Sequence, residues 1–420
     1  MFGTCYSRGE TVLVSCRRWC FVRDPNSQVG PVSPTRQMPS PQSRRTFLTA
    51  CGFAGLSSVS GCIGGRRLEN LVGSDPDIDC QPSSHEWPMY GFDWQRRGVA
   101  GSRELPPADA TAQQLTQADN GIEASPAVSD GVAYAAGTVR VEARNIESGE
   151  RLWAYDPGDN VSTMPALGCG VVFVALTNDV VALDPDDGTE LWRTEGVSGF
   201  DQSGSPLVYD GTVYTAGPEL YALDAETGEE HWNAAGGEGV AVGDYVYTAE
   251  VDGTDGAVLA YTDAGDEQWR AGVGPVYTTP VVADGLVYAV TKDGSFYALD
   301  ATDGSVRWRT PIPSGIFDPP AVSDGTVVLP PGNGDFARAL DAETGESVWR
   351  YKTGNATGAP TVFGDIALLP GANTGVHAVE LETGELVRAW DAPAVGSAPI
   401  LVDGTILYRA WNDSEVYVLR

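Results

Sequence analysis

Short runs of alternating apolar and polar residues, separated by tight turns, recur along most of the chain. One example is "TPVVADGLVYAVTKDGSFYALDATDGSVRWRT", from Thr279 to Thr310. Asp-Gly and related turn sequences join four such runs, as expected of antiparallel hairpins. The stretch therefore predicts four antiparallel strands: Thr279–Asp284, Leu286–Thr291, Ser295–Asp300 and Ser305–Thr310.

This four-strand unit repeats along the chain. Spacings of 37 to 41 residues separate the turn glycines at 149, 188, 228, 265, 304, 345 and 384. Such a period is typical of β-propeller blades. Proline, whose missing N–H costs little at a strand start, begins seven of eight units, and Val240 takes that place in the fourth. The pattern predicts an all-β fold, an eight-bladed propeller of four-stranded antiparallel blades.

The last unit, Ala398 to Arg420, contains only three strands. The segment from Gln113 to Pro126 has the layout of the segment from Glu150 to Pro165, with Leu115 near the tryptophan position. We therefore expect residues 112–118 to supply the missing strand. An N-terminal strand in the last blade would close the ring and leave no open edge.

A tryptophan follows the turn glycine in most units. The glycine permits the turn, and the indole can pack between neighbouring blades. A buried tryptophan removes roughly 150–250 Å² from water, on the order of 4–6 kcal/mol at most. In the seventh unit Arg388 takes the tryptophan position and Trp390 follows, for which we expect a shifted structural role. The predicted docking residues are Trp153, Trp192, Trp232, Trp269, Trp308 and Trp349.

The charge is strongly acidic, with a formal net charge of −31. Only two lysines occur, Lys292 and Lys352, and the acidic residues are scattered. This surface repels nucleic acid phosphates and anionic lipid headgroups. The composition favours a protein adapted to molar salt, as in haloarchaea, over an acidic secreted protein from an ordinary habitat.

The stretch "SRRTFLTACGFAGLSSVSGC" (Ser43 to Cys62) resembles a twin-arginine export signal with a lipoprotein cleavage box. Arg44 and Arg45 are the paired arginines, and Cys62 is the expected lipid-attachment residue. The apolar part is too short to span a bilayer. We therefore expect a protein exported by the twin-arginine route and anchored by lipid on the external face of the cell membrane.

These features divide the chain into four parts. Residues 1–37 are basic and fit a non-translated or disordered extension, with translation starting at Met38. Residues 38–61 form the signal peptide and 62–86 a flexible acidic tether. Residues 87–420 form the propeller, which we expect to be a monomer.

The repeat resembles the tryptophan-docking motif of the PQQ-like propellers, here "ALDAETGEEHW" (Ala222 to Trp232) and "ALDAETGESVW" (Ala339 to Trp349). "WPMYGFDWQRRGVAGS" (Trp87 to Ser102) also resembles the segment that leads into such domains. The resemblance implies the fold but leaves activity open, because the family includes quinoprotein dehydrogenases and non-catalytic scaffolds such as a bacterial outer-membrane assembly lipoprotein.

Resemblance to the dehydrogenases would imply PQQ, calcium, a disulfide between adjacent cysteines and a catalytic aspartate. No adjacent cysteines occur, and no carboxylate can be carried over as catalytic. His85, His231 and His377 have no metal-ligand spacing, and no EF-hand pattern is present. We therefore expect no catalytic residue, no metal site and no cofactor, with PQQ and calcium only under the alternative.

The connections between fourth and first strands, and between second and third strands, vary most and should share one face. Function usually resides in variable loops on a rigid scaffold. The candidate binding residues there are Phe200, Asp201, Tyr277, Phe317, Asp318, Lys352 and Asn355. The same connections carry three possible glycosylation sites, Asn160, Asn355 and Asn412.

The interpretation we favour is a non-catalytic, lipid-anchored cell-surface propeller that binds a protein or another surface ligand. It would contact the membrane through its lipid anchor alone and would not bind nucleic acid. The alternatives are a PQQ- and calcium-dependent quinoprotein oxidoreductase and a surface carbohydrate-binding protein.

Dialysis from molar to low salt should unfold the protein. At about 1 M salt the Debye length is roughly 3 Å, which screens the repulsion among its carboxylates. We expect the near-UV circular dichroism signal to disappear at low salt and to persist in a sample kept in molar salt. An unchanged signal at low salt would contradict salt adaptation.

Overall fold

The computed structural model describes residues 4–7, 10–13, 86–100, 104–116 and 121–420, the last range with gaps at 123, 162, 169, 199–204, 314, 317, 333, 355, 373 and 413. The chain divides into two compact units, Met1–Gly64 and Gly65–Arg420. In the first unit, β1 (Thr4–Ser7) and β2 (Glu10–Leu13) form an antiparallel hairpin. The predicted signal peptide and Cys62 lie outside the described residues. No helix among the described residues is long and apolar enough to cross a membrane.

The described strands of the second unit form eight sheets of four antiparallel strands, one of which has an additional parallel strand, which confirms the predicted propeller. Blades 1 to 4 contain β5 (Ala127–Ser129), β6 (Val132–Ala136), β7 (Val141–Asn145) and β8 (Arg151–Tyr155); β9 (Ala166–Gly168), β10 (Val171–Ala175), β11 (Val180–Leu183) and β12 (Glu190–Thr194); β13 (Leu207–Tyr209), β14 (Thr212–Ala216), β15 (Leu220–Asp224) and β16 (Glu230–Ala234); β17 (Val240–Val242), β18 (Val246–Asp252), β19 (Asp255–Tyr261) and β20 (Glu267–Gly272).

Blades 5 to 8 continue the pattern. They contain β21 (Val281–Ala283), β22 (Leu286–Thr291), β23 (Ser295–Asp300) and β24 (Val306–Pro311); β25 (Ala321–Ser323), β26 (Thr326–Leu329), β27 (Phe336–Asp341) and β28 (Ser347–Lys352); β29 (Thr361–Phe363), β30 (Ile366–Gly371), β31 (Gly375–Glu380) and β32 (Leu386–Trp390); β33 (Ile400–Val402), β34 (Thr405–Arg409), β35 (Val416–Leu419) and β4 (Ala112–Gln114). A short strand, β3 (Val99–Ala100), lies parallel to β29 in blade 7.

Blade 8 is completed by β4, which pairs antiparallel with β35. The predicted closure by an N-terminal strand is therefore confirmed. The register differs in detail from the expectation for Leu115. Gln113 lies opposite Val418, where the other blades place their docking residue, and Leu115 lies two residues further along. Leu115 is buried, and its N–H donates to the carbonyl of Val416 at 2.8 Å.

Each of the six predicted docking tryptophans donates its indole N–H to the next blade. In four cases the acceptor is the carbonyl of the residue that directly follows the third strand, as at Trp269 and Ala301 (3.1 Å). In the other two cases, Pro185 and Asp263, it lies one residue further along. Three of the six side chains are buried and three are half-buried. The other pairs are Trp153–Pro185, Trp192–Ala225, Trp232–Asp263, Trp308–Ala342 and Trp349–Leu381, at 2.8–3.1 Å.

The same indoles lie directly against the turn glycine of the next blade. A Cβ atom on Gly304 would lie 2.6 Å from the Trp269 ring, and the other five contacts of this kind are equally close, at 2.6–2.9 Å. The glycine therefore has two functions. It adopts the left-handed backbone of the turn, and it leaves room for the neighbouring indole.

Two seams depart from this rule. Between blades 7 and 8, Trp390 donates to the carbonyl of Pro107 at 2.8 Å. Between blades 8 and 1 the docking position is occupied by Gln113, and a Cβ on Gly149 would meet nothing within 4 Å. Arg420 bridges this seam instead, donating to the carbonyls of Ile146 (3.2 Å) and Glu147 (2.9 Å).

A segment that we call the hub segment (87–100) runs around the inner strands. In six blades, a backbone N–H donates a hydrogen bond to a carbonyl of this segment. The donor lies two residues after the proline that begins the blade, or after Val240 in blade 4. Because these donors lie beside the turns between first and second strands, the hub segment lies at that face of the ring. The donor–acceptor pairs are Val128–Trp87, Leu167–Pro88, Val242–Trp94, Val282–Gln95, Val322–Arg97 and Val362–Gly98, at 2.6–2.9 Å.

Gly304→Ala should destabilise the ring much more than Gly149→Ala. Both glycines have φ near +72°, at +72° and +73°, so both variants incur the left-handed backbone cost of about 1–2 kcal/mol. Only Gly304 faces an indole, which adds about 1–3 kcal/mol of overpacking. Denaturant unfolding in molar salt measures the difference, and equal losses would contradict the docking role of the glycine.

Candidate functional site

The variable connections form one face of the ring, which we call the loop face. The connection entering each blade from its predecessor contacts the connection between that blade's second and third strands. In blade 2, Thr177 N–H donates to the carbonyl of Asn160 at 3.1 Å, and in blade 5, Lys292 N–H donates to the carbonyl of Pro275 at 2.9 Å. The Asp-Gly and Thr-Gly turns lie at the opposite end of the strands, which we call the turn face.

Three of the seven candidate binding residues are described on the loop face: Tyr277, Asp318 and Lys352. The other four, Phe200, Asp201, Phe317 and Asn355, lie outside the described residues. Tyr277 precedes blade 5 and Lys352 ends β28, so the three residues belong to the connections around blades 5 to 7.

Tyr277 is half-buried and carries a cation on its ring. Lys292 Nζ lies 4.6 Å from the ring centroid. This contact connects the approach to blade 5 with the turn between β22 and β23. A cation–π contact of this kind contributes about 0.5–1 kcal/mol at an exposed site. The contact holds these two side chains together on the loop face.

Asp318 is recessed between blades 5 and 6, where its Oδ2 accepts the Gly358 N–H at 3.1 Å. Burial raises the pKa of its carboxyl group above the usual value, although Gly358 and the nearby Arg409 act in the opposite direction. The carboxylate is therefore poorly solvated, and Arg409 is its cationic neighbour.

Lys352 is exposed at the end of β28, opposite Phe336 of β27. Its side chain forms no ion pair among the described residues. Lys352 is therefore a solvent-exposed cation on the surface of an acidic molecule.

Arg96 is a buried polar residue at the hub that was not identified as a site residue from the sequence. It is 1% exposed, and its guanidinium donates to the carbonyls of Val240 (3.0 Å), Ser205 (2.9 Å) and Pro206 (3.1 Å). Burial lowers its pKa to about 10. The only available signal was two adjacent arginines in an acidic chain, immediately after a segment rich in aromatic residues.

A small cavity beside Arg96 lies at the hub. Its lining is mainly apolar, with Trp87, Tyr90 and the strand-initiating Pro320 and Pro360. The guanidinium of Arg96 already bonds to backbone carbonyls, so the polar groups here serve the fold.

A second missed cluster joins blades 8 and 1. Ser125 Oγ and Ser397 Oγ lie 2.7 Å apart, and Ser397 Oγ also accepts the Arg409 N–H at 3.0 Å. The guanidinium of Arg409 lies over the Trp411 ring at 5.7 Å. Serines that precede strand-initiating prolines in these two blades were the available signal.

The other residues considered in the sequence analysis are either packed against neighbouring side chains or exposed, where they are described. His377 is buried between Tyr351 (3.0 Å) and Thr374 (2.8 Å), and burial lowers its pKa. Asn160 and Asn412 are exposed on the loop face. Arg44, Arg45, Cys62 and His85 lie outside the described residues.

No group of three or more His, Cys, Asp or Glu side chains that could hold a metal ion occurs among the described residues. Resemblance to quinoprotein dehydrogenases would imply PQQ and calcium. The donor set of the described part of the ring does not fit a calcium ion, because Asp318 has no second carboxylate beside it and has Arg409 nearby instead. We derive no reaction through these groups.

Comparison with known proteins gives a consistent result. A model of the family described as outer membrane protein assembly factor BamB matches residues 135–252 and 254–404, more than half of the chain. The BamB protein of Burkholderia pseudomallei is 32% identical over 157 residues, which cover 34% of this chain and 40% of that protein. The match thus spans well under half of that relative's length.

Two solved structures share the fold. BamB from Moraxella catarrhalis has a TM-score of 0.59 at 20% identity, covering 74% of this chain and 98% of that chain. The quinohemoprotein alcohol dehydrogenase from Comamonas testosteroni has a TM-score of 0.63 at 17% identity, covering 84% of each chain. At these identities the likenesses establish the architecture alone.

Asp318→Asn should stabilise the protein at neutral pH. Burial raises the folded-state pKa of Asp318 above the unfolded value of about 3.9, so its ionisation lowers stability as the pH rises through that window. The gain should be present at about pH 7 and absent below about pH 4, where both states are protonated. Denaturant midpoints at the two pH values measure it.

Asp324→Asn is the matched control for that substitution, because Asp324 is exposed in a turn of blade 6. A lower midpoint for Asp318→Asn at neutral pH would show that attraction to Arg409 outweighs the burial of the carboxylate.

Proposed function

The chain belongs to the family of the outer membrane protein assembly factor BamB, and from this premise we propose that it is a non-catalytic scaffold that binds a partner protein. The family model covers most of the ring, and the relatives in it are named as assembly factors. A rigid ring with variable loops suits the binding of a partner protein.

The observation that carries the proposal is the set of hydrogen bonds made by the hub segment and by Arg96 at the centre of the ring. The hub segment binds the inner strands of six blades, and Arg96 donates to backbone carbonyls of blades 3 and 4 and to that of Tyr90. The polar groups at the centre are therefore used by the fold. Recognition is left to the loop face and to the outer strands.

The proposed lipid anchor would determine how far the ring lies from the membrane. A lipid on Cys62 and a tether of residues 62–86 would hold the ring close to the external face of the membrane. Two acyl chains give durable attachment, whereas one chain is marginal. The proposed route, twin-arginine export, delivers the ring already folded.

Crosslinking on intact cells, followed by mass spectrometry, tests the scaffold proposal. We expect a specific protein crosslinked to loop-face or outer-strand residues, and loss of that crosslink when Cys62→Ser releases the ring from the membrane. A ring that crosslinks only to itself or to lipid would contradict the proposal.

The quinoprotein alternative makes the opposite prediction in a simple assay. The folded protein is incubated in molar salt with PQQ and calcium, and dye reduction is followed with alcohols and sugars as substrates. We expect no reduction above that of the unfolded protein. Turnover that depends on both PQQ and calcium would overturn the non-catalytic assignment.

A further inference from the structure

Cations are concentrated on the loop-facing part of blades 5 and 6. Five of them, Lys292, Arg309, Arg338, Arg350 and Lys352, lie there, and we call this group the basic sector. It contains both lysines of a chain whose formal net charge is −31. The carboxylates described nearby are the exposed Asp293 and Asp335 and the recessed Asp318. The sector is therefore locally positive on an acidic molecule.

The repeats provide an internal comparison for these cations. An arginine follows the docking tryptophan in blades 2, 4, 5 and 6. In blade 2 it is Arg193, which donates to Asp179 (3.1 Å) and Glu190 (3.0 Å). In blade 4 it is Arg270, which donates to Glu250 and Glu267. Two carboxylates thus neutralise each of these arginines.

The equivalent arginines of blades 5 and 6 lack this arrangement. Val306 and Ser347 occupy the positions of Glu190 and Glu267, two residues before the tryptophan. Arg309 donates to Ser295 Oγ (2.6 Å) and forms no ion pair among the described residues, although the exposed Asp293 lies close enough for Arg309 to help lower its pKa. Arg350 has no ion pair among the described residues either. The same position in the repeat is therefore paired with two carboxylates in two blades and with none at ion-pair distance in two others.

Blade 6 also places two like charges opposite each other. Arg350 pairs across the strands with Arg338, whereas Arg193 faces Val181 and Arg270 faces Leu259. Like charges at directly opposed positions are unfavourable. The buried Nε of Arg338 has no hydrogen-bond partner among the described residues. An anion at this place would relieve the repulsion.

Aromatic rings hold the cations in place. Arg309 lies over Tyr297 at 5.4 Å and Arg350 over Phe336 at 5.0 Å. These contacts restrict the long side chains before any ligand arrives. Less entropy is then lost when an anion binds.

Exposed apolar side chains also lie on the outer strands, nearer the turn face than the basic sector. Val306, Val348 and Leu386 are 53%, 52% and 54% exposed, and Val387 is 44% exposed. They occupy the fourth strands of blades 5, 6 and 7. Cationic and apolar surface along the same outer strands fits a ligand that carries both carboxylates and apolar side chains.

We propose that the basic sector binds an extended acidic segment of a partner polypeptide. Arg350 and Lys352 are two residues apart and therefore point to the same side of β28, which suits carboxylates at alternate positions of an extended chain. The exposed valines favour a polypeptide over a phosphate or sulfate polymer, because such polymers have no apolar side chains. This inference rests on the proposed scaffold function and specifies its partner.

Fluorescence anisotropy with labelled peptides tests the proposal on the folded protein. The probe is a peptide of about twelve residues with glutamate at alternate positions and valine or threonine between them. A second peptide has the same composition with its glutamates in one block, and heparin and inorganic polyphosphate serve as competitors. We expect the alternating peptide to bind most tightly.

The triple variant Arg309→Glu, Arg350→Glu, Lys352→Glu should weaken binding by about tenfold or more, because each lost charge pair can contribute more than 1 kcal/mol. Arg307→Glu is the matched control, since Arg307 lies on the same strand but at the turn face, paired with Asp300. It should change binding by less than about twofold. Val348→Ser should weaken binding, whereas Leu152→Ser in blade 1 should not.

Near-UV circular dichroism first verifies that every variant is folded. The inference is overturned if the triple variant binds as well as the control, if no peptide binds, or if heparin or polyphosphate binds more tightly than the alternating peptide. A partner crosslinked elsewhere on the ring would preserve the scaffold proposal while removing this site. Crosslinks at β24 and β28 would support both.

Discussion

The contact between each docking indole and the turn glycine of the next blade is the constraint on which the ring depends. Six glycines approach an indole so closely that a Cβ atom would lie within 2.6–2.9 Å of it. The indole N–H bonds to the same turn, so one side chain fixes the distance and the orientation between adjacent blades. Repetition of this contact makes the ring rigid, and a rigid ring can present variable connections at defined positions.

The exceptions to this contact show what the ring requires of each seam. Between blades 7 and 8 the acceptor is the carbonyl of Pro107, so a segment from before blade 1 supplies the missing turn. Between blades 8 and 1, Arg420 donates to the carbonyl of Ile146, the residue that follows the third strand. Each seam thus keeps a side-chain donor aimed at a backbone carbonyl, although the donor changes from indole to guanidinium.

The repeat pattern was sufficient to predict the fold, because Asp-Gly turns, glycine spacing and period-two alternation are local signals. Closure of blade 8 followed from counting strands. Arg96 was not predictable, since its carbonyl partners come from residues more than 100 positions away. The basic sector was not predicted as a group, although Lys352 was among the candidate binding residues. The sector becomes apparent only when equivalent positions of the folded blades are compared. Arg193 and Arg270 have carboxylate partners, whereas Arg350 has none among the described residues.

Closure of the last blade has a consequence for how the protein is made. The fourth strand of blade 8 is synthesised before every complete blade, and its partner Val416–Leu419 is synthesised after all of them. Blades 1 to 7 can form in order during translation, but β4 must wait for β35, with its edge unprotected. Completion of the circle therefore reports that synthesis has passed β35. A chaperone or protease that recognises exposed strand edges could distinguish finished rings from truncated ones by this single pairing.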